Sequence, residues 1–118
     1  MSVARGDIVL VDFPMGPGQS PKRRPALVVQ NDVNNGRLVT SIFVMVTSNT
    51  KLVGKVATQV LIDVTTPDGK QSNLRQTSAV KCENVYTLAQ SSVRKIGALT
   101  PSIMQEVDAA LKASLALS

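Results

Sequence analysis

The chain contains no histidine, no tryptophan and a single cysteine. Without histidine there is no ready general base near neutral pH, few routes to a zinc site, and no Ser-His or Cys-His nucleophile. Any catalysis must use carboxylates, lysine, arginine, hydroxyls or groups that the substrate brings. The lone Cys82 rules out an internal disulfide and suits a reducing cytoplasm. It reads as a core residue, because no histidine is there to activate a thiol. Aromatics amount to Phe13, Phe43 and Tyr86. The core is therefore expected to be aliphatic, and base-stacking readers of the RRM type are disfavoured. No apolar run approaches the length of a membrane span. Arg5 and Asp7 interrupt the start, where a signal sequence would be apolar. The expectation is a cytoplasmic protein with no membrane partner.

What is present points to one small folded unit, residues 1–118, with 43% apolar residues. Thirteen cations against eight acids give a net charge of +5. That balance favours an anionic partner such as RNA or DNA, although solubility alone can produce it. The β-rich run "IVLVDF" follows Arg5-Gly6-Asp7 and ends at Pro14. Residues 14–22, "PMGPGQSPK", read as a long loop with three prolines and two glycines. A second strand is expected over 26–30, with Pro25 at its start, then a turn at Asn34-Asn35-Gly36. Further strands are expected over 39–46, 59–64 and 78–85, with an exposed ribbon or loop over 50–56 and a polar loop over 70–76. Residues 91–95 read as a helical turn or the lead into a short strand. Only the last segment has helical periodicity, through Ile103, Met104, Val107, Ala110, Leu111 and Leu115, with Thr100 as cap and Pro101 behind it. Many short strands and one terminal helix suggest a small barrel.

The cluster "PKRRPALVVQND" sets three cations against an apolar strand. Two readings stand for Arg24. It is a strand-entry residue snorkelling along the core edge and paired with Asp7 or Asp32. Or it grips a phosphate, for which its planar fork of donors is suited. Lys22 and Arg23 are solvated charge or electrostatic guides for the same anion. Thr47, Ser48 and Asn49 end the third strand, where such side chains commonly satisfy loose backbone groups. If the second and third strands pair about the turn, Arg24 and Thr47 meet at the far end of the sheet and make a polar site. On the fifth strand Lys81 and Glu83 share one face, with Cys82 opposite. They form an ion pair on a solvated face, or Glu83 is a carboxylate free to act as a base. Arg75, in "SNLRQTS", contacts a polyanion or is solvated. A cation, a hydroxyl and a carboxylate suffice for one reaction in particular. RNA brings its own nucleophile, the 2′-hydroxyl, and preorganised charge on the phosphorane supplies much of the rate.

In order along the chain, "RGDIVLVDF", "RRPALVVQND", "VMVTS", "SAVKCENV" and the helix "MQEVDAALKASLAL" resemble the MazF/PemK/Kid toxins. The resemblance covers almost the whole chain. It implies an SH3-like barrel with a C-terminal α-helix, mainly β, of the PemK/CcdB-like plasmid maintenance toxin fold, working as a homodimer. It implies sequence-specific, ribosome-independent cleavage of single-stranded RNA, without metal or other cofactor, leaving 2′,3′-cyclic phosphate and 5′-hydroxyl ends. It also implies a cognate antitoxin protein that blocks the RNA groove. Carried over by position, Arg24 holds the scissile phosphate and Thr47 donates a hydrogen bond to the reacting oxygens. Glu83 falls where the Kid branch has its proposed base, and Lys81 where that branch has an arginine acid. The implied RNA-binding set is Lys22, Arg23, Ser48, Asn49, Arg75, Ser78 and Lys81. Some members carry a histidine in the first loop; here that loop is "MGPGQSPK".

Two other readings compete. A CcdB-like gyrase poison shares the fold, but those toxins use aromatic-bearing C-terminal residues, and this helix ends "LALS". A non-catalytic nucleic-acid-binding barrel follows from the charge alone.

Overall fold

The computed structural model describes residues 2–13 and 16–118. The expected strand stop at Pro14, and with it the first two positions of the loop over 14–22, lie outside the described residues. Six antiparallel strands form one sheet in the order β4-β5-β3-β2-β1-β6. They are β1 Asp7–Phe13, β2 Lys22–Val28, β3 Thr40–Thr47, β4 Gln59–Ile62, β5 Ser78–Ala89 and β6 Val93–Ala98. Two short helices, α1 Asp32–Arg37 and α2 Pro67–Lys70, sit in connections, and α3 Pro101–Leu115 ends the fold. The architecture is mainly β with a C-terminal helix, as the sequence indicates.

The sheet is open, with β4 and β6 as its edges. The segment after α2 bridges toward β6. The Ala98 N–H donates to the Gln71 carbonyl at 3.0 Å, and the Asn73 amide donates to the Ile96 carbonyl at 2.7 Å. Gly97 is required there, because any Cβ would collide with the Ser72 carbonyl.

Apolar residues fill both faces of the sheet. On one face Ile8, Leu27, Val44, Val46, Ile62, Val80 and Cys82 pack against Ile103, Val107 and Ala110 of α3. Those three recur at helical spacing, and each large one contributes on the order of 1.5–3 kcal/mol by burial. The Thr100 hydroxyl oxygen accepts the Ile103 N–H, and Pro101 needs no partner at the first turn. On the other face Val9, Val11, Phe13, Ala26, Val28 and Phe43 form a second cluster. Phe13 meets Tyr86 edge-on, with ring centres 5.2 Å apart.

Several boundaries differ from expectation. β2 starts at Lys22 instead of 26, because Lys22, Arg23 and Arg24 pair with Phe13, Asp12 and Val11 of β1. Pro25 is thus inside the strand, yet the β2–β3 ladder starts only at Ala26, opposite Met45. A residue without N–H has nothing to give a ladder, and pairing with β3 ends before it. The Asn34-Asn35-Gly36 turn is instead one short helix, capped by the Asn31 side chain accepting the Asn34 N–H at 2.8 Å. β5 runs on to Ala89, four residues beyond expectation, through a bulge: Val44 faces Val85 while Met45 faces Lys81. Residues 91–95 combine both expectations, a 3₁₀ turn over Gln90–Ser92 leading into β6.

Candidate active site

The β2–β3 register converges two candidate residues. Ala26 faces Met45; two further steps bring Arg24 opposite Thr47. The ladder has ended there, so the strand ends splay into a cleft of about 220 Å³. Its polar walls are Arg23, Arg24, Thr47, Ser48 and Ser78, with Arg75 and Gln76 from the loop before β5. Arg23, Arg24 and Arg75 border this cleft, but strand alternation turns the Arg23 side chain to the opposite face of β2, where it meets Asp12; among the described residues no carboxylate lines the cleft.

The acids expected beside Arg24 are engaged elsewhere. Asp7 is half of an ion pair with Lys95 at 3.1 Å and also accepts the Ala4 N–H. Asp32 accepts the Arg5 backbone N–H at 2.7 Å, which holds its carboxyl below the usual range. The acid that does reach the cluster is Asp12, and it takes Arg23 at 3.1 Å. Among the described residues Arg24 has no ion-pair partner. The strand-entry reading of Arg24 thus loses its partners, and the anion-gripping reading keeps a free guanidinium.

Thr47 is prepared as a donor. Its Oγ1 accepts the Asn49 N–H at 3.1 Å, a local turn that leaves the hydroxyl proton free to point outward. Asn49 in turn accepts the Lys51 N–H at 3.1 Å, which fixes the start of the following loop. Ser78 differs: it is buried, and its hydroxyl already donates to the Gln76 carbonyl at 2.8 Å. It shapes the cleft floor. Lys22 lies outside the cleft walls, exposed at the start of β2.

Thr47 also lines a second, smaller recess of about 70 Å³, shared with Asn49, Leu52, Gln59 and Lys81. Glu83 stands one hydrogen bond behind it. The Gln59 amide donates to the Glu83 carboxylate at 2.8 Å. The expected Lys81–Glu83 ion pair is not formed among the described residues, although the Lys81 charge still acts on the Glu83 carboxyl. α3 and the residue before β4 hold the β5 bulge: the Ser114 hydroxyl donates to the Cys82 carbonyl at 2.8 Å, and the Cys82 N–H to the Thr58 carbonyl at 2.9 Å. Desolvation pushes Glu83 upward, but the Gln59 amide, backbone and Thr58 hydrogen bonds and the Lys81 charge outweigh it, so its carboxyl sits below its ordinary value. Burial, with some help from Glu83, pushes the Cys82 thiol up to about 12. It is an inert core residue, as expected.

The sequence reading missed Gln59 and Gln76. A polar residue opening the apolar strand "QVLI" was the available signal for Gln59. Arg24 lines the larger cleft and Glu83 lines neither cavity; Thr47 is the residue common to cleft and recess.

Known proteins resemble this chain over its full length. The family described as "PemK-like, MazF-like toxin of type II toxin-antitoxin system" matches residues 4–115. Endoribonuclease MazF6 of Mycobacterium tuberculosis is 34% identical over 120 residues, covering 99% of this chain and 100% of that protein. Endoribonuclease EndoA of Bacillus subtilis is 34% identical over 119 residues, covering 99% and 97%. Among solved structures, a mycobacterial endoribonuclease in complex with its cognate antitoxin superposes with a TM-score of 0.80 at 24% identity, covering 99% and 98% of the two chains. The MazE-MazF structure from Deinococcus radiodurans gives 0.77 at 22% identity, covering both chains fully, 100% and 100%. These two structures establish likeness of fold.

Proposed function

We propose a reaction on one premise: this chain belongs to the PemK-like, MazF-like family of type II toxin-antitoxin toxins, and is an RNA-cleaving enzyme. It cuts single-stranded RNA at specific sequences, independently of the ribosome, and so inhibits translation and growth. The single observation that supports this reading is the convergence of a free Arg24 and a donor-ready Thr47 in one cationic cleft.

The 2′-hydroxyl oxygen attacks the adjacent phosphorus as its proton passes to the Glu83 carboxylate. The bond from phosphorus to the 5′-oxygen breaks, and that oxygen takes a proton from the Lys81 ammonium. The products are a 2′,3′-cyclic phosphate and a 5′-hydroxyl. Arg24 neutralises the charge growing on the phosphorane, and Thr47, with Ser48, donates to its non-bridging oxygens. A Glu83 held below its ordinary pKa is always ionised near neutrality but is a weak base. The substrate supplies the nucleophile, so no metal-bound hydroxide is required. Arg23, Arg75, Lys22, Asn49 and Ser78 bind or shape the path of the flanking strand.

Residues 1–118 act as one toxin domain in a homodimer, which sedimentation at micromolar concentration would show as a doubled mass. A cognate antitoxin offers an acidic segment to the same arginines and is released more easily at high salt. No helix among the described residues is long and apolar enough to cross a membrane, and the cytoplasm is the proposed compartment. The deciding experiment is cleavage of a long single-stranded RNA in excess EDTA by wild type and Arg24→Ala, with product ends mapped. Discrete cuts with cyclic-phosphate ends, lost in the variant, are expected. Equal cutting by Arg24→Ala would remove the proposed site.

A further inference from the structure

Gln59 is 8% exposed, and its Oε1 is a buried acceptor with no hydrogen-bond partner among the described residues. Such an atom is uncommon in a native fold and calls for a cause. Its orientation is not arbitrary. The other end of the amide, Nε2, donates to the Glu83 carboxylate at 2.8 Å. Turning the amide over would set Oε1 against that carboxylate, oxygen to anion. Glu83 therefore fixes Oε1 as the end left for something else, and Gln59 is a wall of the recess it shares with Thr47, Asn49, Leu52 and Lys81.

We infer that this recess is a subsite for a nucleotide flanking the scissile phosphate, whose hydrogen-bond donor is accepted by Gln59 Oε1. The inference rests on the reading that the adjoining cleft takes RNA. Thr47 is common to cleft and recess, so a strand whose phosphate lies at Arg24 and Thr47 carries its neighbouring nucleotide to the recess. Oε1 is itself covered, so a nucleotide reaching it must displace neighbouring side chains; Leu52, 47% exposed, and Lys81 are the long ones lining the recess beside it. The donor belongs to a base, as a ring or amino N–H, or to a ribose 2′-hydroxyl. Either selects substrate, because a substrate without the donor leaves the acceptor buried and unpaired. Gln59 thus positions two things at once: the carboxylate through Nε2 and the substrate through Oε1.

The test begins with cut sites mapped on a long single-stranded RNA for wild type, Gln59→Leu and Gln59→Lys. Leucine removes both ends of the amide. Lysine keeps a donor for Glu83 and removes only the acceptor. Short oligonucleotides around one mapped site then lose one donor at a time, as a 2′-deoxy sugar or a base without its N–H, sparing the attacking 2′-hydroxyl. Both variants are expected to lose about tenfold or more in kcat/KM at wild-type sites. One substrate deletion should cost wild type the same factor and cost Gln59→Lys nothing more. That deletion names the source: a base if the variants also relax the cut sequence, a ribose hydroxyl if they do not. Unchanged kcat/KM in Gln59→Lys overturns the inference, as does a wild type indifferent to every single deletion. The second arm needs wild type alone, so a misfolded variant leaves the inference open to refutation. Failure of wild type to cut any RNA is a different result, and it sinks the RNA reading itself.

Discussion

The two ends of the β2–β3 pair are built from similar residues and behave in opposite ways. Where β2 leaves and β3 begins, amides and hydroxyls close on one another. The Gln30 amide donates to Asn35 Oδ1 at 3.0 Å, the Ser41 hydroxyl to the same oxygen at 2.6 Å, and the Asn35 amide back to the Gln30 carbonyl at 3.0 Å. Gln90 reaches over and donates to the Asn35 and Leu38 carbonyls, both at 2.9 Å. Gln30, Asn35 and Ser41 are buried there, and their side-chain amides and hydroxyl are bonded to one another. At the other end Arg24 has no acid, Thr47 has a spare proton, and Gln59 has a spare acceptor. Polar residues in a small β-fold thus divide by whether their bonding capacity is used up internally. The closed end holds the sheet together; the open end is left with capacity that RNA can meet.

That contrast breaks first at Arg24. Arg24→Ala should lower single-turnover cleavage by about 10²–10³, the scale for one electrostatic donor at a reacting oxyanion. Its melting temperature should stay near wild type, since an unpaired, partly exposed cation contributes little to stability. A large drop in melting temperature would show that the open end is structural after all. The mirror experiment is Asn35→Ala. It leaves the Gln30 amide and Ser41 hydroxyl without a shared acceptor, at about 1–3 kcal/mol, read by urea unfolding. Cleavage per folded molecule should be unchanged. Loss of activity in well-folded Asn35→Ala would erase the division between the ends.

Two smaller effects sharpen the comparison. Glu83 has a folded-state pKa below its ordinary 4.5, so it is ionised at every pH above that value. The logarithm of kcat/KM should be flat on the acid side of neutrality and fall only as pH drops through that depressed pKa. Because bound RNA adds negative charge nearby, the same limb in kcat should lie at higher pH. A limb near pH 6 or above in kcat/KM would exclude Glu83 as the base. The smallest effect belongs to Arg23, already shared with Asp12. Arg23→Ala should reduce the slope of log binding constant against log salt by less than about 0.7, the value for one full contact to a single strand. Arg75→Ala, lacking such an acid, should show more of it.

Much of this division was legible from residue order, and the rest depended on contacts that order does not show. "RRPALVV" followed by "VMVTS" sufficed to place Arg24 beside Thr47, because antiparallel pairing about any connection brings those ends together. The connection itself was misread as a turn. Asn and Gly are poor helix formers, and α1 stands because Asn31 caps it and Asn35 is gripped by Gln30, by Ser41 of β3 and by Gln90. The second strand is expected from Ala26, with Pro25 at its start where a missing donor is tolerated, yet β1 supplies a partner for Lys22 through Arg24. Strand alternation put Lys81 and Glu83 on one face; Gln59 stands beside Lys81 in the recess and bonds Glu83, but the bulge that follows Lys81 was not legible in the order of residues. Gln59 was out of reach, because a buried acceptor without a partner is a property of surroundings and not of sequence. The family resemblance supplied the chemistry; the geometry supplied the reason Arg24 is free for it.

Cys82 has one more consequence. Its thiol is fully buried and held protonated up to about pH 12, so native protein offers nothing for maleimides or iodoacetamides to attack. A cysteine introduced at exposed Ser48 would be the one reactive position in the chain. One fluorophore or spin label could then be seated at the rim of the cleft without first removing the native thiol, at the cost of the Ser48 hydroxyl. Arrival of RNA, arrival of antitoxin and the exchange of one for the other would become optical signals from a single known site.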